Sequence, residues 1–133
     1  MREILFRGKQ KSNGAWLFGD LRQWSATRKG ICDYDLKSTN EVDPATVGQF
    51  TGLTDKNGAS IFEGDIVSVG GHIATVNGLY RVIYDTVNHC WALARSTENH
   101  FSYFTFSDLN GFAGTSEVVG NIHDNPELLE VKE

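Results

Sequence analysis

Apolar residues recur at every second position in short runs, and Gly and Asn separate the runs. A period of two is that of a strand with one buried face. Leu79–Asp85 sets Tyr80, Val82 and Tyr84 on one side, and Cys90–Arg95 sets Trp91 with Leu93. Asp65, Val67 and Val69 share a face opposite Ile66 and Ser68, and Val118, Gly120 and Ile122 form a last inward row. Arg2–Arg7 and Ala15–Leu21 read as a hairpin around the polar run Gly8–Gly14. Ile31–Leu36 alternates and reads as an edge strand, and the segment Glu41–Pro44 ends that region because proline lacks a ladder donor. His72–Val76 and the aromatic run Phe101–Phe106 complete the set.

The turns carry their own chemistry. Asn57-Gly58 suits a two-residue type I′ hairpin turn, in which both central residues need positive φ. Glu63-Gly64-Asp65 is a second sharp bend. Helix is scarce. Asn125–Glu130 has Asn at the N-cap and Pro at the first helical position, enough for one or two turns. Ser107–Asn110 reads as a single turn, and Pro44–Val47 as either one helical turn or an extended lead-in. Many short strands with Gly and Asn turns predict a mainly β chain, a small barrel or sandwich. The sequence divides into an N-terminal β-hairpin extension, residues 1–46, and a core with a short C-terminal helical turn, residues 47–133.

Three stretches resemble one family. Val47–Leu53 with Asp55-Lys56-Asn57-Gly58 and Ile61-Phe62-Glu63-Gly64-Asp65-Ile66-Val67 is similar to the signature of the YopX-like phage and prophage proteins. Met1–Arg7 resembles that family's opening strand, and Glu117–Leu129 its closing motif. The resemblance implies an SH3-like β-barrel or roll of phage or prophage origin, and it implies no particular activity. Trp16–Asp43 and Val87–Phe112 lie outside the matched motifs.

Composition narrows the function classes. The chain of 133 residues is 40% hydrophobic and 22% charged, so it is globular rather than disordered. It has no apolar run of transmembrane length and no secretory leader pattern, which predicts a cytoplasmic protein away from the membrane, and the resemblance implies that the cell is a bacterial host. Cys32 and Cys90 are expected as reduced thiols. Net charge is −5, unevenly placed: eight basic and four acidic residues through Lys37, then four basic and thirteen acidic.

Candidate chemistry is thin. Glu63 and Asp65 are carboxylates two apart, but they flank a bend glycine, where Asp ordinarily accepts turn amides. His89-Cys90, with Cys32, His72 and His100, lacks metal-ligand spacing, and Cys90 reads as a small core residue. Gly48, Gly52, Gly58 and Gly64 precede no Gly-Lys-Ser/Thr and form no phosphate loop. These readings predict no catalytic residues, no metal and no cofactor.

Two binding surfaces remain. Arg22, Trp24, Arg28 and Lys29 interleave cations with an aromatic, a pattern that stacks bases and tracks a phosphate backbone. Phe101, Tyr103, Phe104 and Phe106 put aromatics on both faces of one strand, as a covered or self-associating surface does. The first expectation is therefore a binding or assembly module, self-associating or joined to a protein partner. The alternative is a nucleic-acid-associated accessory protein. An enzyme is not expected.

Overall fold

The computed structural model describes residues 3–35, 37–69, 78–87, 89–94, 103–105 and 116–129. The chain divides into two compact units, Met1–Gly52 and Leu53–Glu133.

The first unit is built from β1 (Phe6–Lys9), β2 (Trp16–Gln23), β3 (Lys29–Asp33), β4 (Thr39–Val42) and the start of β5 (Gly48–Thr54). The strands lie in the order β4-β3-β2-β1-β5, each pair antiparallel. The sheet curls. An isolated bridge joins Gln10 to Val42, and the Asp43 amide donates to the Lys9 carbonyl at 2.8 Å. Inside the curl Leu17, Ile31 and Val42 are buried, with Phe6, Leu21 and Val47 packed against them. Gly8 lets β4 come this close, because a Cβ there would stand 3.0 Å from Val42 Cγ2. A 3-10 turn, Pro44–Thr46, comes next. Asp43 caps it by accepting from the Ala45 amide at 3.1 Å, and Thr46 Oγ1 accepts from the Lys9 amide at 2.9 Å.

The second unit holds the end of β5, then β6 (Ser60–Phe62), β7 (Asp65–Val69), β8 (Gly78–Asp85), β9 (Cys90–Ala94), β10 (Tyr103–Thr105) and β11 (Ser116–Asn121). β6 comes after β5 in the first sheet's order, and the others form an antiparallel sheet, β10-β9-β8-β7-β11. Its core is Ile61, Val67, Tyr80, Val82 and Leu93, with Leu53, Trp91 and Val118 against them. Burying each large apolar side chain contributes roughly 1.5–3 kcal/mol.

Two local devices fix this unit. The loop after β5 is a three-residue turn with a bulge. Gly58 has φ +84°, and its amide donates to the Asp55 carbonyl at 3.0 Å. The Asp55 carboxylate accepts from the amides of Asn57 (2.8 Å), Ala59 (2.9 Å) and, on β11, Val118 (2.9 Å). Gly64 has φ +91° in the second bend, where its amide donates to Val82 and its carbonyl accepts from Ile122, both at 2.9 Å. Asp65 beside it is buried and accepts from the Phe62 amide at 2.7 Å, the turn-amide role expected of it. Gly64→Val should destabilise the protein by about 2–4 kcal/mol, because a β-branched residue is strained at positive φ and both of these hydrogen bonds depend on it. Urea unfolding checks this, and an unchanged midpoint would show an ordinary bend.

The chain is mainly β, and among the described residues helix is limited to Pro44–Thr46 and Pro126–Leu129. Several expectations are corrected. The strands form two antiparallel sheets rather than one closed barrel, and no described ladder joins β10 to β11. Asn57-Gly58 is not a type I′ turn: Asn57 keeps negative φ, held by the Asp55 carboxylate. The described strand part of the Ile31–Leu36 run, Ile31–Asp33, is not an edge, because β3 lies between β2 and β4. Cys90 is half-buried rather than core. His72–Val76 and Ser107–Asn110 lie outside the described residues.

Candidate binding surface of the first unit

Alternation along β2 sorts its side chains. Leu17 and Leu21 turn into the curl, so Trp16, Phe18, Asp20 and Arg22 turn outward. Cross-strand partners share that outer face: Lys9 with Trp16, Arg7 with Phe18, Cys32 with Asp20, Gly30 with Arg22, and Glu41 with Gly30. The Arg7 guanidinium lies over the Trp16 ring at 4.7 Å, with Lys9 Nζ at 5.6 Å.

At the far end of this face the chain turns over residues 24–28. The amides of Trp24 and Ser25 both donate to the Arg28 carbonyl, at 3.0 and 3.2 Å. This closure swings the Trp24 indole back over Gly30. A Cβ on Gly30 would stand 2.7 Å from the indole Cη2, so only the bare glycine backbone leaves room for the ring. Arg28 lies over the same ring at 5.2 Å. Glu41 holds Arg28 in place through two hydrogen bonds, from Nε at 3.2 Å and from Nη2 at 3.1 Å. Lys11 Nζ reaches Glu41 at 3.4 Å. The hydrogen bond from Arg28 holds the Glu41 carboxyl below its usual range, and Glu41 raises the Arg28 guanidinium in turn. In water such exposed pairs orient more than they stabilise. The result is a tryptophan fixed in one pose and still 43% exposed.

Two more aromatics stand outside the core, Phe18 at 40% and Tyr34 at 49% exposure. The Tyr34 hydroxyl donates to Asp20 at 3.2 Å. Partial burial, and then Asp20, raise its pKa.

Of the residues predicted to hold nucleic acid, Trp24 and Arg28 are in contact and Arg22 is exposed on the same face. Lys29 pairs with Gln23 on the other face, and its amine donates to the Ala26 carbonyl at 3.4 Å. Of the predicted interface residues, Phe101 and Phe106 lie outside the described residues. The backbones of Tyr103 and Phe104 lie in β10, opposite Ala94 and Leu93, and their side chains lie outside the described part of the structure. Sequence reading missed Gly30, Glu41 and Lys11. Their signal was the register of β4, a mostly polar strand with no alternation to reveal it. Among the described residues no group of three or more His, Cys, Asp or Glu is placed to hold a metal. None of the described helices is long and apolar enough to cross a membrane.

A model of the YopX family, described as YopX protein, matches residues 5–130. The chain belongs to the YopX family. This YopX-family chain matches no curated protein. Among solved structures, the crystal structure of protein EF1440 from Enterococcus faecalis is similar over 98% of this chain and 100% of that one, at 21% identity and a TM-score of 0.48.

Proposed function

We propose that this chain is a phage- or prophage-derived binding or assembly module, working in the cytoplasm of the bacterial host and engaging its partner through the Trp24 surface. One observation carries the reading: Trp24 is exposed yet held by Gly30, Arg28 and Glu41. Ordering a mobile indole on binding weakens association, and an indole already fixed avoids that loss. Trp and Arg are also the residues that most often dominate interface energies. The SH3-like part of the reading belongs to the second unit, whose short antiparallel strands from β7 to β11 come after the tight Gly64 bend.

The nucleic-acid reading rests on Arg22 and Arg28 beside Trp24, Lys29 lying on the other face. It is the weaker of the two, because Glu41 occupies the Arg28 fork and the chain as a whole is acidic.

Retention from bacterial lysate tests the main reading. Immobilised wild type and Val87→Ala, a control at an 80% exposed site of the second unit, should hold the same partner, identified by mass spectrometry. Trp24→Ala should lose it at least about tenfold, the effect of removing a central aromatic anchor. Equal retention by all three would remove Trp24 from the binding surface.

A further inference from the structure

The Trp24 anchor is set among the cations Arg22, Arg28 and Lys11, with Glu41 as the carboxylate between the last two. The second unit carries the opposite pattern. From Leu53 to Glu133 the sequence has four basic and eleven acidic residues, against eight and six through Gly52. Most described carboxylates of the second unit serve its own structure: Asp55, Asp65 and Asp85 are buried, and Glu63 and Glu117 are half-buried. Among the described residues of that unit the exposed acids are Asp124 and Glu127, and they flank Asn125-Pro126, with Pro126 exposed. This turn is well tied. Asn121 Oδ1 accepts from the amides of His123 and Asp124 at 3.0 and 2.9 Å, and the Asn125 amide donates to the Asn121 carbonyl at 2.8 Å. The turn thus presents a rigid proline ring between two carboxylates, of which Asp124 also accepts from the Asn121 side-chain amide at 3.2 Å.

We propose that the Trp24 surface of one copy docks on the Asp124–Glu127 turn of a second copy, head to tail. The proposal rests on the reading of Trp24 as a binding anchor and names its partner. The exposed indole receives the Pro126 ring, an apolar contact that freezes little side-chain freedom on either side. Arg22 meets Asp124 and Glu127, with Arg28 and Lys11 held beside it on Glu41, which fixes orientation and speeds encounter. Two different patches are joined, so the contact is heterologous and propagates into a ring or an open chain.

Sedimentation equilibrium on the full chain tests this. At about 50 µM, where a modest interface is populated, the wild type should exceed the 14.8 kDa of one copy. Trp24→Ala should be monomeric. So should Asp124→Lys/Glu127→Lys, with Glu127→Lys alone as the milder acceptor variant, each with the circular dichroism of the wild type. Mixing the anchor-dead and acceptor-dead proteins should restore pairs and nothing larger, because each variant keeps one intact half. A wild type that stays monomeric overturns the proposal, as does a Trp24→Ala variant that assembles normally or a mixture that stays monomeric. An oligothymidine probe that binds wild type at low salt but not Trp24→Ala would assign the surface to nucleic acid and also overturn it. A monomeric wild type that still captures a partner from lysate through Trp24 sinks only the second-copy proposal. Loss of both results sinks the binding reading with it.

Discussion

Asp55→Ala should lower the unfolding free energy by about 3 kcal/mol, because three backbone amides lose their acceptor at a site of 6% exposure. The side chain holds its own turn through Asn57 and Ala59 and fastens β11 through Val118, 63 residues away. A second strand of contact runs beside it, from the Lys56 amide to the Ser116 carbonyl at 3.0 Å, and it survives the substitution. Burial alone would raise the Asp55 carboxyl, but the amides of Val118, Ala59 and Asn57, with Lys56, hold it below the usual carboxylate value. A carboxyl depressed in the folded state stabilises fully above its unfolded pKa, about 3.9, and loses that contribution as pH falls through the lower folded value. The gap between wild type and Asp55→Ala should therefore be constant near neutrality and narrow in acid. Urea unfolding across pH, with amide exchange at Val118 as the local probe, measures both. A loss below about 1 kcal/mol, within the range of one ordinary hydrogen bond, would show that the Asp55 bonds are replaced by water.

Gly19→Ala should be worse still. Gly19 is buried in β2 between Phe6 of β1 and Asp33 of β3. A Cβ there would stand 1.9 Å from the Cys32 carbonyl oxygen and 2.8 Å from its carbon. Both obstacles are backbone, so no rotamer change relieves them, and β2 and β3 must separate. The expected loss exceeds about 4 kcal/mol, in the range reserved for breaking a structural element. Gly8→Ala is the comparison. Its Cβ would meet only the Val42 side chain, 3.0 Å away, and overpacking of that kind costs about 1–3 kcal/mol. Denaturation of the two variants ranks them, and a Gly19→Ala protein as stable as Gly8→Ala would show that the strands have slack.

How legible this was depended on burial pattern. β7, β8 and β9 alternate strongly because one face carries Val67, Tyr80, Val82 and Leu93 into a core, so their faces were readable from spacing. Gly64 was readable because a bend between two carboxylates has few other uses for glycine. β4 was not. Thr39, Asn40 and Glu41 are polar, and only Val42 reaches the core, so hydrophobic period has nothing to report. The candidate site suffered for the same reason. Trp24 and Arg28 stand out as residue types, but Glu41 and Gly30 matter through cross-strand register, which no local pattern encodes. Asn57-Gly58 misled because the dipeptide signals a turn without fixing its length, and the Asp55 side chain two residues before Asn57 set it.

The Asp55 clasp also bears on the order in which the chain acquires structure as it leaves the ribosome. The first core is complete in sequence once Val47 has been made. Its strands pair mostly with near neighbours, β1 with β2, β2 with β3 and β3 with β4, so little chain entropy delays it. The second core waits. Asp55 emerges early but lacks its distant partner until Val118 has been made, and β7 lacks β11 for as long. During that interval a charged carboxylate at the loop keeps the neighbouring apolar strand Ser60–Phe62 next to a solvated group. A charged side chain five residues before an apolar strand is the placement that disfavours pairing between unfinished chains, so the residue that locks β11 has a use before β11 exists.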